Sequence, residues 1–136
     1  MARANIFIAD NHRQFLEVLK RFLGEEFDIV GTAENGKDVV EKVCQLHPDL
    51  IVAEITMPGA VKAYRRLQEM GSQIKFVFLT IHGEPEHIEA CKNIGACGYV
   101  LKNKIHTHLI PAIKQALGES PSSSDSASSP PLAFPN

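Results

Sequence analysis

The chain has 136 residues, 44% hydrophobic and 22% charged, with a formal net charge of −2. That length suits one domain with a core of its own, and the composition is ordinary for a globular protein. Near-balanced charge gives no general attraction to nucleic acid or anionic lipid, and the opening Met1-Ala2-Arg3-Ala4-Asn5 is neither a signal peptide nor a spanning segment, so a cytoplasmic location and no membrane partner are expected.

Cys44, Cys91 and Cys97 are odd in number and have no C-x-x-C spacing, which argues against a disulfide framework or structural zinc. They read as small, mostly buried hydrophobes. The six histidines are scattered; His106 and His108 are the closest pair, and surface or capping roles suit them.

Five short apolar runs alternate with five amphipathic ones. Ile6 to Ala9 reads as a strand, followed by a helix with Phe15, Leu16, Leu19, Phe22 and Leu23 on one face and a stop at Gly24. A second strand covers roughly Phe27 to Ala33. A second helix, from about Gly36 to Leu46, turns Val39, Val40 and Val43 inward and ends at His47-Pro48. The third strand is Leu50 to Ala53, with Glu54 at its end, and the third helix covers about Val61 to Met70 with a stop at Gly71. Ile74 to Leu79 is the fourth strand. A fourth helix is expected from near Pro85 to Gly95, with proline suited to a first turn. Gly98 to Leu101 is the fifth strand, and a fifth helix runs from about Lys104 to Leu117.

Strands apolar throughout, alternating with helices, predict an α/β fold whose parallel sheet is covered on both faces. Right-handed crossovers then favour a five-stranded, doubly wound sheet of order 2-1-3-4-5. From Glu119 the texture changes: ESPSSSDSASSPPLAFPN is rich in Ser and Pro and without period, and reads as a flexible tail or linker. Residues 1–118 are thus the expected domain and 119–136 the tail, in which only the Leu132-Ala133-Phe134 patch is apolar enough to dock.

In such a sheet ligands bind outside the carboxyl ends of the strands. There stand Asp10 and Asn11 after the first strand, Glu54 at the end of the third, Thr80 after the fourth and Lys102 after the fifth. Each alone is an ordinary solvated strand end, helix cap or weak salt bridge. Their joint placement on one edge makes a candidate site.

At these residues the chain resembles a response-regulator receiver domain of two-component, phosphorelay signalling, the chemotaxis-receiver-like flavodoxin topology. IFIADNHRQFLEVLKRFL is similar to the family's first strand and helix, HPDLIVAEITMPG to its third strand and phospho-acceptor loop, FLT at 78–80 to the end of its fourth strand, and GACGYVLK at 95–102 to its fifth. The match covers residues from about 4 to 117, and its style leans toward members that carry a helix-turn-helix output domain in transcription regulation. The resemblance implies a signalling module rather than an enzyme, with a sensor histidine kinase or other signalling protein as partner. It also implies no direct nucleic-acid binding by this domain, and allows a weak homodimer. The partner face would be the fourth helix, fifth strand and fifth helix.

By position the resemblance makes Asp10 the first metal-binding acid, Thr80 the switch hydroxyl, Tyr99 the switch aromatic and Lys102 the phosphate-reading lysine, with the Thr56 carbonyl as a backbone metal ligand. Three places depart. Asn11 replaces the second acid, Glu54 occupies the phospho-acceptor position, and Met57-Pro58-Gly59 reaches the next helix about two residues early. Magnesium favours charged oxygens in near-octahedral geometry, so binding at Asp10, Asn11 and Thr56 is expected to be weak or lost. Glutamate is one methylene longer than aspartate, and about 1 Å of misplacement costs on the order of a hundredfold in rate. A Glu54 carboxylate pushed outward could pair with Lys102 and accept a hydrogen bond from Thr80, an incomplete imitation of a phosphorylated state. The sequence therefore predicts a pseudo-receiver acting through protein–protein contacts. The alternative is a magnesium-dependent phospho-accepting receiver that controls a helix-turn-helix output domain. A flavin-binding protein of the same topology fails on ADNHRQF, which has no glycine and begins with an acid that would repel phosphate, and a hydrolase lacks a G-x-S-x-G elbow.

Overall fold

In a computed structural model of the chain, residues 3–81, 89 and 98–118 are described. Their elements are β1 (Asn5–Ala9), α1 (Arg13–Gly24), β2 (Asp28–Ala33), α2 (Gly36–Leu46), β3 (Leu50–Glu54), α3 (Ala60–Glu69), β4 (Lys75–Thr80), β5 (Gly98–Leu101), a 3₁₀ turn (Lys102–Lys104) and α4 (Ile105–Ala116). The strands form one parallel sheet of order 2-1-3-4-5. This is the flavodoxin-like arrangement that the alternation of apolar runs predicts. The helix expected between Pro85 and Gly95 lies outside the described residues except for Glu89, which is helical and exposed. Cys91, Cys97 and residues 119–136 also lie outside them.

The helices close where local chemistry stops them. The Asn35 side chain accepts the Asp38 amide at 2.9 Å and caps α2. Its other end is His47, in the left-handed region at φ 50°; Pro48 directly after it keeps the right-handed helix from continuing. Gly24 is not a left-handed stop; it is the last residue of α1, and Glu25 behind it is still right-handed. The cap of α1 is His12, without a side-chain cap bond, rather than Asp10 or Asn11.

Strand side chains alternate between faces, and here that period sorts the core. Phe7, Ala9, Ile51, Ala53, Phe76 and Phe78 pack with residues of α2 and α3. Ile6, Ile8, Leu50, Val52, Val77 and Leu79 pack with residues of α1 and α4. All five residues of β3 are buried, as expected of a central parallel strand. Cys44 is exposed on α2 rather than buried, because Val39 and Val43 take the inward positions of that helix. Among the described residues no helix is long and apolar enough to cross a membrane.

Candidate functional site

Continuing the alternation past the strand ends places three charged residues on the same side. Asp10 follows Ile6 and Ile8 by steps of two, Glu54 follows Leu50 and Val52, and Lys102 follows Val100, all on the α1 and α4 face. Thr80 and Tyr99 fall on the opposite parity, beyond Phe78 and with the α2–α3 core. In this way the sheet period alone decides which polar ends meet.

The three meet closely. Lys102 Nζ lies 2.6 Å from Asp10 Oδ2 and 3.0 Å from Glu54 Oε1. Asp10 is 0% and Glu54 1% exposed, and the lysine side chain 11%. The ammonium also sits 4.3 Å from the centroid of the Phe15 ring, a cation–π contact. The two facing oxygens are buried and take no aligned hydrogen bond, so the ammonium is what compensates their charge.

The outer oxygens are tied by their own loops. Glu54 Oε2 accepts the Thr56 amide and the Thr56 hydroxyl, both at 2.9 Å. Asp10 Oδ1 accepts the His12 amide at 2.8 Å and lies 3.2 Å from His12 Nδ1. The expected pairing of Glu54 with Lys102 is therefore present. The hydroxyl recorded on Glu54 is that of Thr56 and not of Thr80, because Thr56 is two residues along the same loop while Thr80, though buried, has the other strand parity. Sequence reasoning assigned Thr56 only a carbonyl role, and Phe15 and His12 none. An acid followed two residues later by Thr is the signal for such a local turn bond.

Asn11 is exposed, next to the buried Asp10. Thr56, also exposed, turns its amide and hydroxyl to Glu54. Two carboxylates and one ammonium leave a single net negative charge, with the ammonium between the carboxylates, and among the described residues no group of three His, Cys, Asp or Glu could hold a metal ion. As arranged, this donor set does not fit a magnesium ion, which favours several charged oxygens in an octahedral shell.

Near the site, Met57-Pro58-Gly59 forms a tight connection. Gly59 at φ 79° caps α3, and the Pro58 carbonyl accepts the Gly36 amide at 2.8 Å. A basic feature lies away from the triad, where Lys37, Lys62 and Arg66 line a groove between α2 and α3.

Comparison with known proteins agrees with this fold. The family model for the response regulator receiver domain matches residues 6–114. The transcriptional regulatory protein DegU of Brevibacillus brevis is 35% identical over 116 residues, covering 82% of this chain and 49% of that protein. The chemotaxis protein CheY of Halobacterium salinarum is 28% identical over 114 residues, covering 82% and 95%. This chain spans about half the length of several of the curated regulators it matches. In fold, it superposes on the signal receiver domain of NarL from Mycobacterium tuberculosis with a TM-score of 0.81 at 21% identity, covering 88% of this chain and 100% of that one. A DNA-binding response regulator of the LuxR family from Staphylococcus aureus gives 0.78 at 19% identity, covering 84% and 98%. Receiver domains are signalling modules that take up phosphoryl groups and interact with sensor histidine kinases, rather than enzymes in the ordinary sense. With its 2-1-3-4-5 sheet and a family match over residues 6–114, the chain belongs to the response-regulator receiver domain family.

Proposed function

We propose that this chain is a pseudo-receiver: a cytoplasmic receiver module that works through protein–protein contacts, with its site fixed by its own residues rather than by a phosphoryl group. The observation that carries this reading is the 3.0 Å contact between Lys102 Nζ and Glu54 Oε1, both largely withdrawn from solvent. Glutamate at the acceptor position reaches the lysine by itself, and the Thr56 amide and hydroxyl hold its other oxygen. In-line phosphoryl transfer needs a free, well-placed carboxylate and a divalent cation. Here both carboxylates are engaged and the cation between them is an ammonium. Lys102 and Glu54 set the state of the site, with Thr80 and Tyr99 as its switch positions and Asp10 as the residual acid. The partner is a signalling protein, a sensor histidine kinase among them, and this domain does not itself bind nucleic acid.

The test is an amide NMR titration with magnesium and then beryllofluoride, which stands in for a phosphoryl group on a carboxylate. The expected response is flat at Asp10, Glu54, Thr80, Tyr99 and Lys102. Shifts at those amides at millimolar magnesium would instead support a phospho-accepting receiver. One observation favours that second reading: relatives such as DegU are named transcriptional regulators and are about twice as long as the matched region, so a transcriptional output domain joined to this receiver would suit a phosphorylation-controlled switch.

A further inference from the structure

α2 and α3 lie side by side on the sheet face away from the ion triad, and the seam between them carries two hollows in succession. At the N-terminal halves a groove of ≈700 Å³ has Val40 and the buried Ala63 as its floor. Toward the C-terminal ends a second hollow of ≈340 Å³ is lined by the buried Val43 and Leu67 and by Met70, which is 50% exposed.

The charge stands at one end of the seam. Lys37, Lys62 and Arg66 line the first groove against a single acid, Glu41, and all four are exposed. Lys37 and Lys62 form no ion pair among the described residues, and Arg66 has only a long 3.8 Å contact with Glu69. No Lys, Arg, Asp or Glu is among the described residues that line the second hollow. The whole chain carries a net charge of −2, so the positive edge is a local feature.

A seam that is positive at one end and apolar along its floor complements a segment that is acidic at one end and apolar on one face. The 11 residues of α2 make the seam about 16 Å long, which is roughly three turns of a docked helix. An amphipathic helix laid into such a groove presents apolar side chains three and four residues apart. Two other anionic partners match less well. A nucleic acid is held by a longer run of cations and by aromatic platforms for its bases, and no Phe or Tyr lines either hollow among the described residues. A lipid surface takes up apolar side chains that project, whereas Val43, Ala63 and Leu67 are buried in the floor.

We propose that the α2–α3 seam docks an acidic, amphipathic helical segment of a partner protein, with its carboxylates beside Lys37, Lys62 and Arg66 and its apolar side chains on Val40, Ala63 and Leu67. The seam is separate from Glu54 and Lys102, so the inference does not depend on whether that site accepts phosphate.

The test uses the full chain. The probe is a displayed library of random peptides of about 16 residues, long enough to span the seam. It is selected on wild type and counter-selected on Lys37→Glu/Lys62→Glu, two exposed positions without ion pairs, where the fold is kept. The enriched peptides are expected to carry Asp or Glu followed by apolar residues at helical spacing. They should bind wild type at least about tenfold more tightly than the variant, and shift the amides of Val40, Lys62, Ala63 and Met70. Exchanging their acids for Lys should abolish binding to wild type and restore it to the variant, which a purely apolar contact would not do. Enrichment of no peptide that depends on the two lysines, or amide shifts on α1 and α4 instead, would overturn the proposal. So would a single-stranded oligonucleotide or phosphatidylglycerol vesicles that move the same amides at lower concentration than the peptides. Shifts of those amides with protein concentration alone, together with sedimentation as a dimer, would also overturn it and assign the seam to a second copy.

Discussion

Gly36 and Gly59 stand so close that a methyl group on Gly36 would fall 2.0 Å from the Gly59 carbonyl oxygen. The contact joins the first turn of α2 to the first turn of α3, and the 2.8 Å bond from the Gly36 amide to Pro58 secures it. The shortened Met57-Pro58-Gly59 connection makes this approach, and the same loop carries Thr56 to Glu54.

The first prediction follows from that contact. Gly36→Ala must move backbone, not a flexible side-chain tip, so its cost lies at the upper end of the overpacking range, about 3 kcal/mol. For a domain of this size the midpoint of thermal unfolding should fall by roughly 10 °C. Calorimetry of wild type and variant checks this, and a midpoint unchanged within a degree or two would mean the two helix starts are not in contact.

The second concerns Lys102. Lys102→Met leaves Asp10 Oδ2 and Glu54 Oε1 buried with no cation between them. Breaking one side of a buried ion pair costs about 3–5 kcal/mol, whereas removing charges on both sides is often nearly neutral. Urea unfolding should therefore show Lys102→Met as strongly destabilised and the Lys102→Met/Glu54→Gln double variant as partly recovered. Additive losses would show that the 3.0 Å contact is not an energetic unit.

Much of this site is legible in the amino-acid order itself. The order of the sheet follows from apolar runs that show no alternation, since a strand buried on both faces has no polar side to show. The meeting of Asp10, Glu54 and Lys102 follows from their places after strands of known parity. What is harder to read depends on loops. The Thr56 hydroxyl reaches Glu54 through a two-residue turn that no period governs, whereas the opposite parity of Thr80 is readable from the strand pattern. The Gly36–Gly59 approach joins residues 23 positions apart through two helix starts, and only the assembled packing brings them together. Cys44 is misjudged for another reason: cysteine is usually buried, but valines already fill the inward positions of α2.

The third prediction isolates the Thr56 hydroxyl. Thr56→Val keeps shape and the backbone amide but removes the 2.9 Å bond to Glu54 Oε2. A hydrogen bond to a charged group contributes about 1.5–3 kcal/mol when shielded. Thr56 is exposed, so a loss near about 1 kcal/mol is expected. Thr56→Ser keeps the hydroxyl and should stay near wild type. Denaturant midpoints that fall equally for Ser and Val would assign the effect to the methyl group instead.

The fourth prediction asks whether the family's chemistry can be restored. Glu54→Asp withdraws the carboxylate from Lys102 by roughly 1.5 Å, one carbon–carbon bond. Asn11→Asp returns the missing acid after β1, so three carboxylates stand near the strand ends in place of two. That set has the charge magnesium favours. In the Glu54→Asp/Asn11→Asp variant, millimolar magnesium should shift the amides around Asp10 and Lys102, and a small phosphodonor should add a phosphoryl mass that wild type does not gain. If the double variant stays silent while remaining folded, the short turn held by Gly36 and Pro58 is the remaining obstacle, because it fixes where residue 54 ends its strand. If wild type gains the same mass, Glu54 is itself an acceptor and the pseudo-receiver reading fails.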